Sequence, residues 1–318
     1  MNISRLKRQT WNIGILIILA ALALWRINQM QSFGAYETRT ILLGVLPIAL
    51  LSMGQAIIVI GGGINLAIGA EAVFVNCLAA HFMVGTSFTK SLLLAIVFLG
   101  VGILVGALTG LIIAKSGIAD IVVTLATSFV LIGAAMYVQP QPGGGINQHL
   151  AELVAGKGDK FIYPLLAMII PLLIIWIPLY RSKTGIAIFA IGSNKEAAFL
   201  SGVNVFRTKI KLYALGGLFA GISGLVLTSI TLSASPFATI SNTATLNSVA
   251  GAVLGGVALT GGVGGLVGPA FAALILYFIP TIMLGYGIDP AYSQIIQGAL
   301  TIIVVLLGGL LRSRGGKK

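Results

Sequence analysis

Long apolar runs, separated by short polar gaps, follow one another along nearly the whole chain. A helix that crosses a membrane needs about 20 mostly apolar residues. The pattern predicts ten spans, at about 11–30, 41–60, 64–84, 91–113, 118–138, 161–180, 211–232, 244–260, 265–284 and 291–311. The runs are continuous, without residue-by-residue alternation, so they do not describe a membrane β-barrel. The expected fold class is all-α, a polytopic transmembrane helical bundle of about ten spans. Two pairs of spans, either side of 61–63 and of 260–264, also fit one broken helix each.

The largest polar gap runs from Arg181 to Lys211, RSKTGIAIFAIGSNKEAAFLSGVNVFRTKIK. It holds Arg181, Lys183, Lys195, Arg207, Lys209 and Lys211 against a single acid, Glu196, and reads as the main water-facing loop. Residues 139–160 are rich in Pro and Gly and too polar to span, and 233–243 are small and polar. Pieces this short cannot bury enough apolar area to fold alone. Residues 1–318 therefore read as a single transmembrane domain. The opening MNISRLKRQT and its apolar run resemble a secretory signal. No small-residue cleavage site follows, and the run is long enough to span, so it reads as an uncleaved first helix.

Composition agrees. The chain is 58% hydrophobic and 8% charged, whereas soluble domains carry about 25% charged residues. A net charge of +12 invites a nucleic-acid reading. The cations lie at the ends of apolar runs, where they orient helices, so membrane lipid and no nucleic acid is the expected surrounding. With a cytoplasmic N-terminus, Arg5, Lys7, Arg8, Lys115, the six cations of the 181–211 loop, Arg312, Arg314, Lys317 and Lys318 fall inside. Only Arg26, Arg39, Lys90, Lys157 and Lys160 fall outside. The positive-inside rule thus predicts both termini, and the 181–211 loop, in the cytoplasm. Cys77 stands alone, without a disulfide or metal partner. His81 and His149 lie on different segments, and no HExxH, Gly-x-Ser-x-Gly or Ser/His/Asp grouping occurs. No enzyme, metal site or cofactor is expected.

Two glycine-rich stretches interrupt the apolar pattern, GGGINLAIG at 61–69 and GGVALTGGVGGLVG at 255–268. Each mid-helix glycine costs about 1 kcal/mol relative to alanine. Irregular backbone at membrane depth persists only where protein covers it or it lines a cavity. The first stretch is either a tight turn between spans or part of a translocation path. No strand precedes it, so a nucleotide loop is not expected. Both breaks fall on the cytoplasmic side in this topology. Glycines four apart recur at Gly102, Gly106 and Gly110, at Gly217 and Gly221, and at Gly251 and Gly255; in lipid this spacing lets helix backbones approach. Glu71 is the one acid deep in an apolar run, either functional or hydrogen-bonded within a helix interface. Asp120 reads as structural, at a helix N-terminus near Lys115.

Three of these segments resemble the ribose-type sugar permeases of bacterial ATP-binding-cassette (ABC) importers. GGGINLAIGA at 61–70 is similar to their GGIDLSVGS segment, and IGSNKEAAFLSGVNV at 191–205 to their EAA-like cytoplasmic loop. SVAGAVLGGVALTGGVGGLVGPAFAALIL at 248–276 is similar to their late glycine-rich segment. The match runs in order from about residue 40 to 311. The chain departs from the pattern at Asn65, where the family usually has Asp, and at Glu71, where a small or apolar residue is usual. Branched-chain amino-acid permeases resemble it more distantly.

The resemblance implies a permease subunit, multi-pass in the bacterial inner membrane, that moves a monosaccharide or similar small polar solute. Its implied partners are an ABC ATPase subunit, a periplasmic or lipid-anchored solute-binding protein and a second permease subunit, either a copy of this chain or a paralogue. ATP would be bound by the partner, since no Walker A motif is present. A coupling helix is implied at about Ser193 to Gly202. The residues agree: Ser193 or Asn194 can cap its start, and Glu196 falls in its first turn. Ala197, Ala198, Phe199 and Leu200 give it a small apolar face, and Gly202 can end it. Glu196, Ala198 and Gly202 are expected to dock the ATPase. Asn65, Glu71 and Asn247 are expected along the solute path, Asn247 reading equally as a helix cap. The alternatives are an ion-driven secondary transporter, which would need more intramembrane acids than Glu71, and an ABC permease for a branched-chain amino acid.

Overall fold

The computed structural model describes residues 3–30 and 33–289, with isolated positions 292, 295, 296, 298, 299 and 302 beyond. The span expected at 291–311 lies outside the described residues. The described residues form the helices α1 (Ile3–Gln29), α2 (Ala35–Ile60), α3 (Ile68–Phe82), α4 (Phe88–Ser116), α5 (Asp120–Val138) and α6 (Gln148–Ala155). They continue as α7 (Ile162–Pro171), α8 (Ile177–Arg181), α9 (Lys183–Ser193), α10 (Lys195–Leu200), α11 (Val205–Thr231), α12 (Ala238–Leu254) and α13 (Val267–Gly285). A wider π turn at Leu172–Trp176 joins α7 to α8 just before Pro178, which has no N–H to donate back along the helix. An isolated bridge between Gly143 and Ala234 is the only strand-like pairing among the described residues.

Among the described residues, six helices are long and apolar enough to cross a membrane: α2, α4, α5, Ile162–Arg181, α11 and α13. The apolar part of α1, Gly14–Gln29, and α3 are shorter. The described residues thus give a multi-pass helical bundle with six full-length spans, short of the ten expected. Both doubtful pairs are two separate helices packed against each other, not one broken helix. Leu51 of α2 shares a cluster with Ile68 and Ala72 of α3. Ala250 and Leu254 of α12 share one with Ala272 and Leu276 of α13.

Two further boundaries move. The 181–211 segment is not one water-facing loop: Lys183–Ser193 is helical and buries Ile188 and Ile191. The helix expected from residue 244 begins at Ala238, because hydropathy discounts the polar turns ATISNTAT that open it.

The centre of the bundle is α2, where every residue from Ala49 to Ile60 is buried. A helix apolar on all sides is stable only when surrounded, and α11, α12, α13 and α7 supply that cover. The most intimate pairing joins α4 to α11, and it runs along glycines four apart, where close approach was expected. A Cβ on Gly102 would lie 2.6 Å from the Gly217 carbonyl oxygen, and one on Gly110 would lie 2.9 Å from Tyr213 Cβ.

The 15-residue α3 starts beside the first glycine break. Its far end is tied to the loops there. Gly145 N donates to Ala80 O at 2.8 Å, and the Asn76 amide donates to Thr228 Oγ1 at 2.8 Å and Ser233 O at 3.2 Å. Gly143 and Ala234 exchange backbone hydrogen bonds of 3.0 and 2.8 Å. These contacts close the end of the bundle away from the glycine breaks.

Candidate coupling and translocation site

The stretch from α9 to α11 is a chain of short capped helices. Ser182 Oγ accepts from Gly185 N at 3.0 Å, Asn194 Oδ1 from Ala197 N at 2.9 Å, and Asn204 Oδ1 from Arg207 N at 2.9 Å. Each cap satisfies an N–H that the first helical turn leaves free. The cap of α10 is therefore Asn194. Ser193 instead closes α9, its Oγ donating to Phe189 O at 2.9 Å. Glu196 stands in the first turn of α10 as expected. The helix stops at Gly202, which adopts φ +83° and donates to Phe199 O, while Val203 N donates to Ala198 O. That left-handed conformation is the one glycine takes freely.

The side chains of α10 divide by direction. Ala198 is buried toward the bundle, whereas Ser193, Asn194, Glu196, Ala197, Leu200 and Gly202 are exposed. Phe199 and Leu200 are 68% and 84% exposed. A cleft of about 750 Å³ opens between α10 and the turn joining α4 to α5, lined in part by Ile118, Asp120, Lys195, Phe199, Phe206 and Lys209. Asp120 sits at the start of α5, and the cation it meets is Lys209 of α11, not Lys115. Lys209 Nζ donates to Asp120 Oδ1 at 2.7 Å, and Tyr213 donates to Oδ2 at 2.8 Å.

Directly behind α10, three glycine segments meet. Gly262 N donates to Ile60 O at 2.8 Å, joining the second break to the end of α2. Gly192, the penultimate residue of α9, lies against both. A Cβ there would run into the Ile60 carbonyl oxygen and come within 2.6 Å of Gly262 N. A Cβ on Gly261 would be 2.5 Å from Gly192 O, and one on Gly62 would be 3.5 Å from Gly192 Cα. Both breaks therefore lie at the same end of the bundle as α10, as the sequence topology placed them, and both touch the residues immediately before it.

The first break is an irregular stretch folded back into the bundle. Asn65 is fully buried and Glu71 is 1% exposed. Asn65 Oδ1 accepts from Ala67 N at 2.8 Å, and its amide donates to Glu71 Oε1 at 3.2 Å. The Gln55 carboxamide, turned to suit both neighbours, donates to Asn65 O at 3.1 Å and accepts from Asn65 N at 3.2 Å. Leu66 N donates to Thr124 Oγ1, and Gly69 N to Thr245 Oγ1, both at 3.1 Å. Unpaired backbone is costly without water, and side chains from α2, α5 and α12 remove much of that cost. Glu71 Oε2 is left without a hydrogen-bond partner.

The three expected path residues are not brought together. Asn65 and Glu71 pair inside the break, whereas Asn247 lies half-buried on α12. Sequence reading missed Lys209 and Tyr213 as partners of Asp120, and Gly192 as the meeting point of the breaks. The glycine of IGSNKE was the available signal at position 192.

A family model described as branched-chain amino acid transport system, permease component, matches residues 38–305. The ribose import permease of Bacillus subtilis (strain 168) is 32% identical over 261 residues, covering 81% of this chain and 80% of that one. The fructose import permease of Rhizobium meliloti is 29% identical over 308 residues, 94% of this chain and 84% of that one. An autoinducer 2 import permease of Escherichia coli O157:H7 is 26% identical over 306 residues, 90% of each. No solved structure matches the chain.

Proposed function

Because the chain belongs to this family of transport-system permease components, we propose that it is the membrane-spanning permease subunit of an ABC importer. It carries a monosaccharide or a similar small polar solute, as the ribose and fructose permeases that resemble it do by name. The observation that carries this reading is α10. A six-residue helix, capped at both ends, turns Phe199 and Leu200 outward and stands directly on the glycine junction. Large exposed apolar side chains in a polar rim mark a docking surface, and an ATPase subunit is the partner that supplies energy there.

The remaining parts follow from that role. Ser193, Asn194, Glu196, Ala197, Leu200 and Gly202 meet the ATPase or shape the helix that does, while Ala198 anchors α10 to the bundle. Movement of α10 reaches both glycine breaks through Gly192 as a rigid-body shift between inward- and outward-facing states. Asn65 and Glu71 hold the first break in shape and bear on the path through it. The chain acts as a single permease domain in the bacterial inner membrane, with about ten spans and both termini in the cytoplasm. It pairs with a second permease subunit and receives solute from a binding protein on the other side.

Gly202→Asp tests the docking role. A side chain at φ +83° strains the turn, and a second negative charge is added beside Glu196. The variant is expected to reach the membrane at normal level, lose uptake and no longer co-purify with the ATPase. Normal uptake would sink the coupling role of α10.

A further inference from the structure

Helix α12 carries a polar stripe on the face turned away from its neighbours. Thr239, Asn242, Thr243 and Leu246 are exposed and Asn247 is half-buried. Their spacing of three and four residues puts them on one side of the helix. The opposite side buries Ser241, Thr245 and Ser248, where α12 meets α2, α3 and α13. Among the described residues, Thr239, Asn242, Thr243 and Asn247 have no side-chain hydrogen-bond partner.

The position of this stripe conflicts with lipid. α12 runs alongside α2 and α13, two full-length spans, so its exposed face lies within the membrane layer. Hydrocarbon offers a carboxamide nothing to bond, and leaving it unpaired costs several kcal/mol. Polar side chains at membrane depth face the bundle interior or a water-filled cavity. The apolar face of α5 is the contrast: Phe129 and Val130, 68% and 70% exposed, suit lipid.

We infer that Thr239, Asn242, Thr243 and Asn247 line the solute path and that its occupant is a neutral, hydroxyl-rich solute moving with water. This inference rests on the importer reading above. The chemistry of the stripe selects the occupant. Carboxamides and hydroxyls both donate and accept, as a polyol requires. No charged residue occurs anywhere in α12, ATISNTATLNSVAGAVL, so the stripe offers no counter-charge to the ammonium or carboxylate of an amino acid. Leu246, in the middle of the stripe, gives an apolar contact of the kind that a sugar ring's C–H face takes.

The test places single cysteines in a Cys77→Ala background, in cells that also make the ATPase and binding protein. Asn242→Cys, Thr243→Cys and Asn247→Cys are exposed to a membrane-impermeant methanethiosulfonate, with Phe129→Cys as the lipid-facing control. The three path positions are expected to react at least about tenfold faster than the control, and D-ribose or D-fructose, whichever is imported, to slow them. The double variant Asn242→Leu/Asn247→Leu should lose at least about tenfold of uptake at normal membrane level, while Asn242→Gln/Asn247→Gln keeps most of it. Reaction no faster than at Phe129→Cys, in cells that import the sugar, overturns the assignment, as does full uptake by the double leucine variant. Fast labelling in cells that import neither sugar would uphold the water-filled lining and remove the sugar reading instead.

Discussion

A methyl group at position 192 would occupy the space of the Ile60 carbonyl oxygen. The residue is therefore glycine because three backbones share one place, and Gly192→Ala forces them apart. Overpacking of this kind costs about 1–3 kcal/mol. Uptake by Gly192→Ala is expected to fall about tenfold or more, while the ATPase still co-purifies, because the face of α10 is untouched. Loss of the ATPase along with uptake would show that the substitution disrupts α10 itself. Glu71 makes the complementary case. Glu71→Gln keeps an Oε1 acceptor for the Asn65 amide, so uptake should stay within about twofold of normal. Glu71→Ala leaves that amide unpaired in the core, and its membrane level should drop on an immunoblot. A large loss of uptake in Glu71→Gln at normal level would put the carboxylate in the path.

At the level of the element, α10 depends on its caps because six residues are too few to hold a helix unaided. Asn194→Ala removes the acceptor for Ala197 N and about 1 kcal/mol of helix stability. Its expected effect is about fivefold weaker capture of the ATPase, with Asn194→Asp close to normal; equal capture by all three forms would discount the cap. The family resemblance pointed to this helix, and the residues agreed with it because capping is local: Asn194, Glu196 and Gly202 act within three residues of themselves. The close-packing faces of α4 and α11 were legible for a similar reason, since glycines four apart mark a face whatever lies opposite; which helix lies opposite was not. The polar opening of α12 was not, because a hydropathy scale reads Thr and Asn as loop even where they wind into a helix. The meeting of Gly62, Gly192 and Gly261 could not be read either. It joins residues about 70 to 200 positions apart in sequence, and no local rule reaches that far. Asp120 illustrates the same limit, with Lys115 near in sequence and Lys209 near in space.

Across the whole molecule, α3 links the first glycine break to the closure at the opposite end. It begins beside the break that Gly192 contacts, and farther along it Asn76 and Ala80 hold the opposite closure. At about 1.5 Å per residue, the helix from Ile68 to Ala80 bridges about 18 Å without an interruption of its own. A stiff connection has no preferred direction. Whatever is bound at one end and favours one state must, by thermodynamic linkage, change affinity at the other end by the same factor. Solute-loaded binding protein is therefore expected to shift nucleotide affinity of the assembled complex, and nucleotide to shift binding-protein affinity equally. Asn76→Leu, which unties α3 from Thr228 and Ser233, should shrink both factors together, as titration calorimetry from each side would measure. What arrives outside would then be registered inside with no messenger but the length of one short helix.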